Sequence, residues 1–109
     1  MKLPQNADIA PEKLTRYLLV KRLVGYKSEF LKRAGYGLDN WQQLEQDIRQ
    51  QILVKEAISV KQTTYGEYFE ISAFLNGPNG VALQVKTIWM AEFKTGITKF
   101  ITLYPDRGR

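Results

Sequence analysis

The chain has 109 residues, and its 16 basic and 11 acidic side chains give a formal net charge of +5. This length is typical of one domain, which we expect to span residues 1–109. The chain has no cysteine and no histidine. Within it, disulfides, thiolate nucleophiles, cysteine-based zinc or iron–sulfur sites, histidine general bases and histidine-ligated metals are therefore excluded.

No stretch of the sequence approaches the roughly 20 apolar residues of a transmembrane helix. The N-terminal segment lacks the apolar core of a signal peptide. We therefore expect a cytoplasmic protein without membrane contact, and the absence of cysteine agrees with that compartment. A domain exported as part of a larger protein would share these features, so that alternative stays open.

The first half of the chain, residues 1–54, has the periodicity of helices. A first helix is predicted to begin near Pro11, because the missing N–H of proline would be unpaired in a first turn, and its pattern ends at Gly25. A second helix is predicted from about Tyr26 to Ala34. Four residues form the apolar stripe of the first helix: Leu14, Tyr17, Leu18 and Leu19.

A third helix is predicted over residues 40–53. Gly35 and Gly37 precede it and supply the left-handed backbone that ends a helix. Asp39 is its expected N-cap, with Gln42 three residues on as the reciprocal partner of that cap. Four apolar residues recur at the spacing of one helix face: Trp41, Leu44, Ile48 and Ile52.

After residue 54 the apolar period becomes two, which predicts a sheet half over residues 55–105. Four alternating runs are separated by three short turn signals: Tyr65-Gly66, residues 76–80 and Lys94-Thr95-Gly96. Helices first and strands second indicate an α+β fold. We expect three N-terminal helices packed on one face of a four-stranded antiparallel β-meander. The sequence leaves the strand register open, and a slip of one residue would swap the two faces.

Basic residues are concentrated in the helical half. Residues 13–33 contain seven basic side chains against Glu29 alone, a net charge of +6. A concentrated basic patch favours polyanion binding through counterion release. We therefore predict nucleic-acid contacts for a set of cations and one strand aromatic: Lys21, Arg22, Lys32, Arg33, Lys86 and Trp89. The charge run is also typical of a solvated helix face, and a strand tryptophan is also typical of core packing.

One reaction class suits a chain without histidine. Cleavage of RNA by its own 2′-hydroxyl needs help in deprotonating that hydroxyl, cations for the charged phosphorane and a proton donor for the leaving 5′-oxygen. Lys, Arg and Tyr can share these roles if burial or neighbouring charge lowers a pKa. The carboxylates Glu67, Glu70 and Glu92 are too scattered to suggest a metal site. We expect neither a metal nor a cofactor.

Three parts of the sequence together carry a resemblance to a known family. They are residues 3–8 with 11–14 and 17–19, residues 25–31 with 35–36 and 40–41, and residues 87–89 with 100–105. In this order they resemble a family of small bacterial proteins of unknown function, also found as C-terminal domains of larger secreted proteins. That family is similar, by helices followed by a four-stranded sheet, to the ribonuclease-toxin superfamily that includes barnase, colicin nucleases and the RelE toxins.

The resemblance implies a toxin-like, metal-independent endoribonuclease and a small acidic antitoxin or immunity protein that neutralises it. Carried onto this chain, it implies that Lys27 binds phosphate or stabilises its charge and that Thr87 and Thr102 orient the phosphate. Tyr104 would transfer a proton or stack on a base, and Trp89 is the remaining matching position.

Two alternatives stay open. The domain could be a non-catalytic module that binds nucleic acid or protein. It could instead be an interaction protein that forms a homodimer through its last strand or its open sheet face.

Overall fold

Four antiparallel strands form a single sheet in sequence order. The computed structural model of the chain describes residues 1–20 and 27–107. The strands are β1 (Ile58–Gln62), β2 (Gly66–Asn76), β3 (Ala82–Glu92) and β4 (Thr98–Pro105). β2 and β3 pair along their whole lengths, whereas β1 covers only the first part of β2. The predicted four-stranded antiparallel meander is confirmed.

Three helical regions precede the sheet in the described residues. They are α1 (Pro11–Lys13), α2 (Lys27–Lys32) and α3 (Trp41–Asp47). A π-helical segment, Leu14–Leu18, extends α1. A 3₁₀ turn, Leu38–Asn40, precedes α3, and a second π-helical segment, Ile48–Ile52, extends it. None of these helices is long and apolar enough to cross a membrane. The predicted end of the first helix at Gly25 and the predicted start of the second at Tyr26 lie outside the described residues.

Both π-helical segments end on pairs of buried apolar residues. The N–H of Leu19 donates to the carbonyl of Leu14, and the N–H of Leu53 donates to the carbonyl of Ile48, each at 3.0 Å. A π turn holds more residues than an α turn, so two consecutive side chains can face the core at each helix end. Leu19 and Leu53 are both buried together with the residues that precede them.

Asp39 is not, as predicted, the N-cap of the third helix; the N-cap is the next residue, Asn40. Asp39 is exposed. Asn40 instead accepts the N–H of Gly37 on Oδ1 at 2.7 Å and donates from Nδ2 to the carbonyl of Gly35 at 2.9 Å. An asparagine can satisfy a donor and an acceptor at once, whereas an ionised aspartate only accepts.

The sheet buries one face against the helices. Along β3, the inward residues Leu83, Val85, Thr87 and Trp89 are buried and the residues between them are exposed or half-buried. The register places Trp89 between Phe69 of β2 and Phe100 of β4. The rings of Trp89 and Phe100 meet edge to face with centroids 5.2 Å apart.

The turn between β2 and β3 is fixed to the end of α2. Asn79 donates its backbone N–H to the carbonyl of Ala34 at 3.3 Å and its Nδ2 to the carbonyl of Arg33 at 3.0 Å. A Cβ at Gly77 would overlap the Ala34 carbonyl oxygen, so this close approach requires glycine. Gly35 has the left-handed φ of +95° expected of a helix stop.

Gly37 does not share that conformation. Its φ of −154° is extended backbone, which any residue adopts. The prediction that both glycines supply a left-handed stop is therefore correct for Gly35 and wrong for Gly37.

A buried tyrosine–aspartate hydrogen bond joins this turn to α3. The hydroxyl of Tyr36 donates to Oδ2 of Asp47 at 2.6 Å and lies 3.3 Å from the carbonyl oxygen of Asn76. Gln43 donates to Oδ1 of Asp47 at 2.9 Å. Each oxygen of the buried carboxylate therefore has a donor, as a buried charge requires.

Replacing Tyr36 by phenylalanine removes one of those donors. We expect Tyr36→Phe to lower the free energy of unfolding by about 1–3 kcal/mol, because one oxygen of a buried carboxylate is left without its partner. Urea denaturation measures the change. Tyr65→Phe is the matched control, because Tyr65 is 74% exposed, and equal stability losses in the two variants would contradict the prediction.

The same contact predicts a loss of stability at high pH. Burial and, after it, the hydrogen bond and charge of Asp47 raise the pKa of Tyr36 above its ordinary value. An unfolded tyrosine loses its proton at about pH 10, while folded Tyr36 keeps its proton, so the free energy of unfolding falls as pH rises above about 10. Denaturation curves at pH 8 to 11 should show a steeper fall for the wild type than for Tyr36→Phe. Parallel pH dependences would refute this assignment.

Candidate functional site

Lys27, the first residue of α2, places its ammonium group between two hydroxyls. Its Nζ donates to Oγ1 of Thr102 on β4 at 2.9 Å and to the hydroxyl of Tyr17 at 3.0 Å. The same Nζ lies 4.9 Å from the centroid of the Tyr17 ring. All three side chains are half-buried. The fold thus brings together two of the predicted catalytic residues, Lys27 and Thr102, which lie 75 positions apart in the sequence.

No carboxylate of the described residues forms an ion pair with Lys27. The ion pairs of that part of the chain lie elsewhere: the N-terminus with Glu56, Arg49 with Glu45, Lys86 with Glu70, and Lys99 with Glu92. An ammonium group whose partners are neutral keeps its full attraction for an anion, and partial burial strengthens that attraction relative to bulk water. Hydroxyls beside it can supply further hydrogen bonds to phosphate oxygens.

Tyr17 is a member of this site that periodicity does not identify. The helical spacing assigns it to the apolar stripe of the first helix, and its ring is indeed packed against the core. The signal in the sequence is the residue type itself, because a tyrosine in an apolar stripe carries a hydroxyl that needs a polar partner. Here that partner is Lys27.

An irregularity in β4 lies beside the site. The pairing with β3 passes from Trp89–Phe100 to Ile88–Thr102, so Ile101 has no partner across the ladder. Such bulges occur at sheet edges and beside functional sites, where they redirect a side chain. In this edge strand the extra residue comes directly before the threonine that Lys27 contacts.

The N-terminal segment covers the first part of the outer edge of β4. The N–H of Asp8 donates to the carbonyl of Thr98 at 2.7 Å, and the N–H of Phe100 donates to the carbonyl of Asp8 at 2.8 Å. The contact with Lys27 follows at Thr102, two residues further along the strand. The site therefore lies where the backbone pairing of Asp8 has ended.

Tyr104 lies two residues beyond Thr102 on β4, opposite Lys86 of β3. It is half-buried, and its hydroxyl makes no hydrogen bond with the described residues. Lys86 is already paired with Glu70 at 3.3 Å. That hydrogen bond, followed by the charge of Glu70, raises the pKa of Lys86. Lys86 is therefore a partly neutralised cation, in contrast to Lys27.

Thr87 and Trp89, the other two residues expected at the site on β3, are both fully buried. Oγ1 of Thr87 donates to the carbonyl of Ile71 at 3.2 Å and accepts the indole N–H of Trp89 at 2.8 Å. The structure thus gives both side chains a packing role. Neither exposes a surface on which a base or a phosphate could lie, so we leave both out of the site proposed below.

Of the four remaining cations predicted to contact nucleic acid, two lie within the described residues. Lys32 ends α2 and Arg33 follows it, and both are exposed. Lys21 and Arg22 lie outside the described residues. Within residues 1–20 and 27–107, no three His, Cys, Asp or Glu side chains are arranged to hold a metal ion.

The assignment of Thr87 to the core can be tested by removing its hydroxyl. We expect Thr87→Val to lower the free energy of unfolding by about 1–3 kcal/mol, because the buried indole N–H loses its acceptor. In a Trp89→Phe background the same substitution should cost less, since no N–H remains to be satisfied. Additive effects in this double-mutant cycle, measured by urea denaturation, would show that the two side chains are not coupled.

Comparison with known protein families places the chain in a family whose function is not known. The model of a domain of unknown function (DUF6883) matches residues 2–107. No curated protein and no solved structure matches the chain. The resemblance to an uncharacterised family is thereby confirmed, and the further likeness to ribonuclease toxins stays a prediction. The chain belongs to the family of domains of unknown function designated DUF6883.

Proposed function

We propose that this domain is a toxin-type endoribonuclease that cleaves RNA through the 2′-hydroxyl without a metal ion. One observation carries the proposal. The half-buried ammonium group of Lys27 lies between the hydroxyls of Thr102 and Tyr17, with no carboxylate among the described residues to neutralise it. This arrangement supports a site for a phosphodiester, the group on which such an enzyme acts.

Two residues of the cluster, Lys27 and Thr102, and the nearby strand residue Tyr104 have roles in this reaction. Lys27 binds a non-bridging oxygen of the scissile phosphate and stabilises the negative charge of the phosphorane. Thr102 orients the ammonium group and hydrogen-bonds the phosphate. Tyr104 donates a proton to the leaving 5′-oxygen, a role that suits tyrosine because its hydroxyl is ordinarily protonated at neutral pH.

The reaction begins when the 2′-oxygen attacks phosphorus, and it ends with a 2′,3′-cyclic phosphate and a free 5′-hydroxyl. The proton of the 2′-hydroxyl passes to solvent, since the cluster of Lys27, Tyr17 and Thr102 contains no imidazole or carboxylate that could accept it. General acid–base groups typically contribute about 10²–10⁴-fold to a rate. We therefore expect slow turnover in comparison with enzymes that carry a dedicated base.

The charge distribution supports RNA as the substrate. Lys27, Lys32 and Arg33 belong to the segment 13–33, which carries a net charge of +6. Such a patch attracts single-stranded RNA through its phosphates. It also suits a small acidic antitoxin or immunity protein, whose carboxylates would compete with RNA for the same cations.

A non-catalytic nucleic-acid-binding module is the second candidate. The observation that favours it is again the composition of the cluster, which supplies charge and hydroxyls but no proton acceptor. A module of this kind would retain RNA with an affinity that falls steeply with salt, and it would not cleave RNA at any concentration.

Cleavage of total RNA in EDTA, compared with cleavage in magnesium, distinguishes these functions. We expect equal cleavage by the wild type in both buffers. Lys27→Met should reduce the rate by about 10²-fold or more, because it removes the charge that stabilises the phosphorane while it keeps an unbranched side chain. Tyr104→Phe should reduce it by about 10²-fold through the loss of the proton donor.

Lys55→Met is the matched control, because Lys55 is an exposed lysine that follows α3, and its rate should equal that of the wild type. Thermal unfolding establishes that each variant is folded. Cleavage that survives in both Lys27→Met and Tyr104→Phe would refute the site. Salt-sensitive RNA binding without cleavage by the wild type would establish the binding module instead.

A further inference from the structure

A cleft of about 580 Å³ lies between α2 and the adjoining ends of β3 and β4. Its walls include Phe30 and Arg33 from the α2 side, Gln84 of β3 and Pro105 of β4. Lys27, Tyr17 and Thr102 do not line it, so the cleft is separate from the cluster described above. The two are nevertheless neighbours, because Lys27 and Phe30 stand three residues apart, which places them on the same side of a helix.

The cleft contains an aromatic ring with a cation over its face. Phe30 is half-buried and packs against the hydrophobic core, which holds its ring in place. The guanidinium carbon of Arg33 lies 5.9 Å from the centroid of that ring. Bases of single-stranded RNA stack on aromatic rings and on the planes of arginine side chains. A flat, aromatic ligand fits this combination. The charged lining of the cleft consists of two carboxylates and two guanidinium groups: Glu29, Asp106, Arg33 and Arg107.

Polar groups in the cleft can contact the edge of such a ligand. Glu29 is exposed, lines the cleft, and makes no hydrogen bond or ion pair with the described residues. A carboxylate accepts hydrogen bonds only, so it favours bases that carry an exocyclic amino group. Adenine, cytosine and guanine have such a group, whereas uracil has only its ring N3–H as a donor on its pairing edge. Gln84 adds an amide that both donates and accepts.

We propose that this cleft binds a nucleobase of single-stranded RNA, adjacent to the phosphate held by Lys27. Phe30 is the stacking residue and Glu29 the acceptor for an amino group of the base. The side chains of residues three apart on a helix are about 5–6 Å from each other at Cβ, a distance that one nucleotide can span between its phosphate and its base. This inference rests on the proposed function for the identity of the polymer, but it requires binding only and not cleavage.

The experiment uses ligands that cannot be cleaved. A fluorescein-labelled 2′-O-methyl oligoadenylate hexamer is compared by anisotropy with an abasic hexamer of equal phosphate number and with oligouridylate. We expect the wild type to bind oligoadenylate about fivefold or more tighter than the abasic strand. Phe30→Leu should remove this difference, and Phe30→Trp should retain it. Phe93→Leu, at an aromatic residue that is 54% exposed and does not line the cleft, should leave it unchanged.

Glu29→Ala tests the base edge. It should reduce the ratio of oligoadenylate to oligouridylate affinity while the abasic strand binds as well as before or slightly tighter, because a negative charge has been removed. Thermal unfolding of each variant shows that it is folded. Equal affinity of the wild type for the base-containing and abasic strands would overturn the proposal, and so would a base-dependent difference that survives in folded Phe30→Leu.

The result is separable from the test of catalysis. Base-dependent binding that Phe30→Leu abolishes, in a protein that leaves RNA intact, would establish the cleft and refute the ribonuclease. RNA cleavage that depends on Lys27, together with equal binding of base-containing and abasic strands, would establish the ribonuclease and refute the cleft.

Discussion

The indole of Trp89 is fully buried, and its N–H requires an acceptor inside the core. Thr87 supplies that acceptor at 2.8 Å from two residues away on the same strand, so both side chains must lie on the inward face of β3. β3 pairs with β2 on one side and with β4 on the other. The contact between Thr87 and Trp89 therefore also determines which face of β2 and β4 turns toward the core. It is also why Lys86, which directly precedes Thr87 on the strand, faces away from the helices with its partner Glu70.

Lys27 differs in its surroundings from the described side-chain cations that form ion pairs, Arg49, Lys86 and Lys99. A half-buried ammonium group loses part of its hydration, which costs free energy. Its neutral partners Thr102 and Tyr17 offset less of that cost than a carboxylate would. Apolar side chains often replace buried charges without loss of stability. The charge of Lys27, which no carboxylate of the described residues neutralises, is what the proposed phosphate site requires. The unpaired residue in β4, Ile101, lies directly before Thr102, which contacts this lysine.

Most of the fold follows from local patterns, and most of the site does not. The period of two and the short turns predict the strand order, because a turn of a few residues leaves antiparallel pairing as the only connection. Thr87 and Thr102 look alike in sequence, since each lies in an alternating strand beside a large residue. Only the tertiary structure distinguishes their surroundings. The register buries Thr87, whereas Thr102 follows the irregularity at Ile101 and contacts Lys27. The cap fails for a related reason, because hydrogen bonds to Gly35 and Gly37 select Asn40 over Asp39.

The proposed phosphate site and the proposed base cleft both depend on the position of α2. The described part of α2, Lys27–Lys32, is held in position by tertiary contacts. At the C-terminal end, Ala34 meets Gly77, and the hydroxyl of Tyr36 donates a hydrogen bond to Asp47. At the other end, Lys27 contacts Thr102. Because Lys27 and Phe30 share this helix, the same buried contacts set the distance of both side chains from β4. The distance between the proposed phosphate site and the proposed base cleft thus depends in part on core residues that belong to neither.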